Sequence, residues 1–167
     1  ALVSNHGLSL ANALAVGAAH ACIVTGGTTP RIACWGQNDV KQTGRPAGAT
    51  VATPEFVAGI VNPVTVYAAA AHTCARVSTG SVLCWGMNAG RRLATQNMAD
   101  PLVSPSSVSG LGGVGVLTIG SAASHTCVLA SSGRNASCWG VSSSGQVGAN
   151  AMANPATQAV TVPGLGN

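Results

Sequence analysis

The tripeptide Cys-Trp-Gly occurs three times, at Cys34-Trp35-Gly36, Cys84-Trp85-Gly86 and Cys138-Trp139-Gly140. A His-x-Cys precedes each copy: His20-Ala21-Cys22, His72-Thr73-Cys74 and His125-Thr126-Cys127. This pattern consumes all six cysteines and all three tryptophans, so the chain is one unit used three times. First cysteines stand 52 and then 53 residues apart. A second marker runs in phase: Gly7-Leu8, Gly59-Ile60, Gly110-Leu111 and Gly164-Leu165. The two markers together divide the chain into approximate units 7–58, 59–109 and 110–163, with 158–167 beginning a further one.

A period near 50 falls in the range of propeller blades and is too long for leucine-rich or ankyrin repeats. Each unit reads as short strands. Val64 to Tyr67, Cys74 to Val77 and Ser81 to Trp85 are rich in β-branched, aromatic or alternating apolar residues. Gly80 supplies the positive φ that a hairpin turn needs, and Gly26-Gly27 and Ser131-Ser132-Gly133 hold the same place in the other units. No segment combines a long 3.6-residue apolar period with caps, so helix content should be very low. Ala68 to Ala71 is helical by propensity alone, but its place in the repeat predicts a closely packed inner strand. The expected fold is all-β: three repeated units of short antiparallel strands, with a period in the propeller range.

Within a unit the cysteines are 12, 10 and 11 positions apart, always across a glycine turn. On two antiparallel strands such residues can sit opposite each other within disulfide reach. The predicted bridges are Cys22–Cys34, Cys74–Cys84 and Cys127–Cys138. A zinc site from His72, Cys74 and Cys84 is the alternative, because His and Cys two apart on a strand share a face. It lacks a fourth ligand that repeats in register. His20, His72 and His125 recur at one position in every unit, which marks a structural contact to a neighbouring blade or turn rather than a catalytic base, although Ser124 precedes His125. Trp35, Trp85 and Trp139 are expected to pack between blades, where a large side chain is needed, with carbohydrate stacking as the weaker alternative. His6 lies outside the pattern.

Charged residues make up only 6% of the chain, against roughly 25% in a typical soluble domain. Such a surface suits coverage by copies of the chain or by glycans. The net charge of +4 comes from scattered cations. There is no basic stripe with interleaved aromatics, so nucleic-acid binding is not expected. Lys41, Arg91 and Arg92 occupy one loop after Cys-Trp-Gly, where the third unit has Gly145 and Gln146; they are candidates for an anion or glycan contact on one rim. Asn135-Ala136-Ser137 is a glycosylation sequon. Paired cysteines point to an oxidising compartment, hence a secreted or cell-surface protein. No apolar run reaches 18 residues, so no membrane span is expected. The chain opens at Ala1 without Met or signal peptide and reads as a processed or excised piece.

The frame of Gly-Leu, an apolar strand, His72-Thr73-Cys74, Cys84-Trp85-Gly86-Met87-Asn88 and Gly145-Gln146-Val147-Gly148 resembles the regulator-of-chromosome-condensation repeat family, in the cysteine-containing form of bacterial secreted members. That resemblance covers nearly the whole chain and implies a β-propeller, usually of seven four-stranded blades. It carries fold better than function: the family's founder is a nucleotide-exchange factor for a small GTPase at chromatin, another relative is a secreted inhibitor of β-lactamases, and nothing here matches an exchange-factor wedge. Three units leave two open ends. They can be completed by a second copy closing a six-bladed ring, by end-to-end addition into a filament, or by missing chain. Gln158 to Leu165 repeats the place of Ala1 to Leu8. The expected function is a non-enzymatic extracellular scaffold that self-associates and presents loops, with no catalytic residue, metal or cofactor. The alternative is a ligand-binding module, either lectin-like or an inhibitor of an extracellular enzyme.

Overall fold

The computed structural model describes residues 10–46, 48–112, 115–132, 135–148 and 154–165. His6, the Gly7-Leu8 marker and the turn residue Gly133 lie outside the described residues. Twelve strands are seen among the described residues: β1 (Ala11–Val16), β2 (His20–Thr25), β3 (Ile32–Gln37), β4 (Thr50–Phe56), β5 (Pro63–Ala68), β6 (His72–Val77), β7 (Val82–Gly86), β8 (Leu102–Ser107), β9 (Val116–Ser121), β10 (His125–Ala130), β11 (Ala136–Gly140) and β12 (Ala156–Thr161). Helix among the described residues is confined to one short turn, Ala89–Arg91. The strands form three four-stranded sheets, β1-β2-β3-β4, β5-β6-β7-β8 and β9-β10-β11-β12, each paired antiparallel in chain order. These are three propeller-type blades, and the array is not closed.

Register follows the cysteine motif. Cys22 lies opposite Cys34, Cys74 opposite Cys84 and Cys127 opposite Cys138, and each pair is bridged. The predicted pairing is the one observed, and no described cysteine is free, which leaves the zinc alternative without thiolates. The glycine of each Cys-Trp-Gly faces the histidine two residues before the first cysteine: His20 opposite Gly36, His72 opposite Gly86 and His125 opposite Gly140. These glycines have φ near 100°, a left-handed conformation that other residues rarely adopt. A Cβ on Gly86 would also stand 2.9 Å from the Ala71 carbonyl oxygen. The turn between the two inner strands therefore lies directly against the motif. At the same point the fourth strand slips register.

That close approach explains one difference from expectation. Only Ala68 of the alanine run belongs to β5, and Ala69 to Ala71 form the turn into β6. Small side chains serve a tight turn against a neighbouring strand there, rather than a strand interior. Residues 158–161, placed by the sequence markers at the opening of a further unit, lie in β12 and pair with β11 as the outer strand of the third blade.

A smaller apolar core of Cys138, Val147 and Ala156 lies within the third blade, while the two larger ones lie between blades. One joins Cys22, Val24, Ile32, Cys34 and Val57 of the first blade to Val66, Ala75 and Trp85 of the second. The next joins Cys74, Val82, Cys84, Leu93 and Val108 to Val116, Ile119, Val128 and Trp139 of the third. Each blade thus has a leading face, toward the blade before it, and a trailing face, toward the blade after. Alternation along β2, β6 and β10 sends Ala21, Thr73 and Thr126 to the leading face, and His20, His72 and His125 to the trailing face.

Candidate functional site: the blade joints

Polar locks cross each joint at one end of this apolar seam. Between the first two blades, Thr73 Oγ1 donates to the Gln42 carbonyl at 2.7 Å, and Trp85 Nε1 donates to the same oxygen at 3.1 Å. His20 Nε2 lies 2.9 Å from Thr73 Oγ1. The threonine proton is already used on Gln42, so the histidine must donate. His20 therefore carries a hydrogen on Nε2, and in the neutral ring Nδ1 is a bare lone pair. The second joint repeats the histidine and tryptophan contacts: His72 Nε2 lies 3.1 Å from Thr126 Oγ1, which also meets Ser121 Oγ at 3.2 Å, and Trp139 Nε1 donates to the Arg92 carbonyl at 2.9 Å. His20, His72, Trp85 and Trp139 thus lie at the two joints, whereas Trp35 and His125 lie on the open faces at the ends of the array.

Burial enforces the neutral state. It pushes the His20 imidazole down to about 4, and His72 down to about 3, where Arg92 and the other two motif histidines add unfavourable charge. Among the described residues no partner reaches Nδ1 of His20, His72 or His125, so a second ring proton on the buried His20 or His72 would find no acceptor.

The loops after Cys-Trp-Gly are built by their own polar groups. Asn38 binds the carbonyls of Arg45 and Gly48 through Nδ2 and accepts from the Thr43 hydroxyl at 2.6 Å. Asn88 does the same with the Asn97 and Ala99 carbonyls and the Leu93 amide. Lys41, Arg91 and Gly145 share a left-handed backbone (φ 64°, 55° and 75°), so this loop position is set by conformation whatever side chain it carries. Arg92 differs from its neighbours. Its Nε and Nη1 donate to the carbonyls of Ala89 and Ala123, at 2.7 and 2.6 Å, and so tie the second blade to the third. Asn135 is exposed just before β11. A groove of about 570 Å³ at the outer edge is lined by Gln96, Asn97, Ser106, Ser107, Ser109 and Gln158, among others, with no charged residue. Among the described residues no group of three or more His, Cys, Asp or Glu side chains could hold a metal ion. No helix there is long and apolar enough to cross a membrane.

Sequence reasoning missed the acceptors of these locks. The Gln42 and Arg92 oxygens are backbone atoms, and residue type does not reveal them. The signal that could have found them is their constant offset of eight residues from the second cysteine of each unit.

The faces at the ends of the array show what a joint looks like when uncovered. Leu14, Val66 and Ile119 occupy equivalent places on β1, β5 and β9, opposite Ile23, Ala75 and Val128. Their exposures are 64%, 2% and 5%. Trp35 is likewise only half-buried, whereas Trp85 and Trp139 are fully buried. At the other end His125, Cys127, Leu129 and Val162 are partly exposed, and their counterparts at the first joint, His20, Cys22, Val24 and Val57, are buried.

Residues 79–129 match the model of the family described as Regulator of chromosome condensation (RCC1) repeat. That stretch contains β7 to β10, the outer half of one blade and the inner half of the next, and so straddles a joint. No curated protein matches the chain in sequence. Among solved structures it is similar to human WBSCR16, at 17% identity and a TM-score of 0.78 over 89% of this chain and 38% of that one. It is also similar to yeast RCC1 (Prp20) in complex with Kap60, at 18% identity and a TM-score of 0.72 over 92% of this chain and 36% of the other. Prp20p from Saccharomyces cerevisiae, studied for its binding to Gsp1p and histones, gives 17% identity and a TM-score of 0.73 over 88% and 36%. The chain spans little more than a third of these proteins, and at such identity the likeness is one of fold. It therefore carries a regulator of chromosome condensation (RCC1) repeat at residues 79–129, within a three-blade array of the fold those repeats build.

Proposed function

We propose that the protein is a non-enzymatic, extracellular, disulfide-stapled scaffold that self-associates through its open blade faces and presents its loops to a partner. The observation that carries this reading is the exposure of Leu14 at a position that is buried wherever a blade precedes it. Together with Leu10, Val16 and half-buried Trp35 it leaves an apolar face of the kind that marks association surfaces. Three disulfides support an oxidising location, and 6% charge supports a surface adapted to being covered. The loops presented are those carrying Lys41 and Arg91. Sedimentation velocity and negative-stain microscopy at micromolar concentration test the reading. Discrete oligomers or filaments are expected, and a monodisperse monomer would overturn it.

The uncharged groove lined by Gln96, Asn97, Ser106 and Gln158 favours a second reading, a glycan-binding module. Amide and hydroxyl groups are suitable partners for sugar hydroxyls. Binding on a glycan array that Gln96→Ala and Asn97→Ala abolish would favour it over the scaffold.

A further inference from the structure

The two internal joints define what a covering face must supply, and the two open faces can be compared with that requirement residue by residue. A leading face offers a tryptophan Nε1, a threonine hydroxyl and a β-branched or leucine side chain on the innermost strand. On the second blade these are Trp85, Thr73 and Val66. A trailing face offers the carbonyl eight residues after its second cysteine, a histidine Nε2, and an apolar bed of cystine and valine. On the first blade these are Gln42, His20 and Cys22, Val24 and Val57.

The third blade carries a full trailing set. Gln146 stands eight residues after Cys138, and His125, Cys127, Leu129 and Val162 match His20, Cys22, Val24 and Val57. Val162 also makes the backbone contact of Val57: its amide donates to the Ala136 carbonyl at 2.9 Å, as that of Val57 does to Ile32 at 2.9 Å. The first blade carries the leading set with one change. Trp35 and Leu14 are in place, but Ala21 stands where Thr73 and Thr126 stand in the other blades.

We propose that the leading face of the first blade takes the trailing face of the third blade of a second copy of this chain, in a joint with the Trp35-to-Gln146 lock and the apolar seam but without the histidine–threonine lock. The proposal rests on the reading of the chain as self-associating and names the surface used. Because the two faces differ, the contact is heterologous and repeats from copy to copy. Ala21 has no hydroxyl to receive His125 Nε2 or to donate to the Gln146 carbonyl. The intermolecular joint is therefore weaker than the internal ones, and association is reversible while the blades within a chain stay together.

The test is sedimentation equilibrium on the oxidised chain and on three variants, with circular dichroism and intact mass confirming fold and disulfides. Leu14→Asp changes an exposed side chain and should weaken association by at least about tenfold. Ala21→Thr supplies the missing hydroxyl and should tighten it by about tenfold, in line with a net hydrogen bond or two. Adding His125→Ala to Ala21→Thr should remove most of that gain, because the new hydroxyl then loses its histidine. A wild-type chain that associates while Leu14→Asp and Ala21→Thr leave its dissociation constant unchanged would overturn this joint and leave self-association standing. A wild-type chain that stays monomeric, whatever the variants do, would overturn both and mean that the face takes a blade of different sequence.

Discussion

Thr73 connects two blades through one hydroxyl: it donates to Gln42 and receives from His20. That arrangement puts a hydrogen on His20 Nε2, and burial of His20 and His72 makes stability depend on pH. His20 and His72 have folded pKa values of about 4 and about 3, below the 6.5 of a free imidazole. Above about pH 6.5 both are neutral in the folded and unfolded chain, and their contribution is fully present. As pH falls below that value, the unfolded chain takes up protons that the folded chain refuses. Stability is then lost progressively down to about pH 4 to 3. At about 1.4 kcal/mol per pKa unit, the loss reaches several kcal/mol. Urea midpoints for the oxidised chain should therefore be level from about pH 7 to 8 and fall steeply between about pH 6 and 4. His72→Gln, which keeps a hydrogen-bonding group for Thr126, should flatten that fall throughout, leaving the His20 contribution between about pH 6 and 4. An unchanged slope in that variant would show that other groups carry the acid sensitivity.

At the level of strands and hairpins, the inner strands of each blade are short, and a disulfide links the second to the third. The bridges close sequence separations of 12, 10 and 11 residues. In the chain-entropy account, each restrains the unfolded chain by roughly 3 kcal/mol. The second blade shares a core with both neighbours, so its bridge matters beyond its own hairpin. The double variant Cys74→Ala/Cys84→Ala should lose on the order of 3 kcal/mol in urea unfolding, and the first and third blades should lose protection from hydrogen exchange along with the second. Exchange that rises only in β6 and β7 would show that the blades unfold independently. Much of this level was legible in the sequence, because a strand, a glycine turn and a strand put Cys74 and Cys84 in register by chain geometry alone. The alanine run was not legible. Whether Ala69 to Ala71 form a strand or a turn is decided by Gly86 lying against Ala71, a contact across 15 residues of chain that no local period reports. The joints were legible in their donors, because His72 and Trp85 recur, but not in their acceptors, which are peptide oxygens.

Across the whole molecule, the two larger cores lie at the joints, and the matched repeat at residues 79–129 spans a joint rather than a blade. The offset that recurs among the units is therefore one between faces, and adding a blade adds a joint. This explains how a chain with 6% charged residues and 3% aromatic residues can be built at all. Each tryptophan that is covered is fully buried, and each uncovered face leaves apolar side chains in water. A contact made by such faces depends on apolar area and neutral hydrogen bonds. It should therefore survive screening. At about 1 M salt, where the Debye length is ~3 Å, the proposed association should be as strong as at low salt or stronger. Sedimentation equilibrium at the two salt concentrations measures this directly. A dissociation constant raised by about tenfold or more at high salt would instead assign the contact to the rim cations Lys41 and Arg91, since pairing across charged groups is what screening weakens.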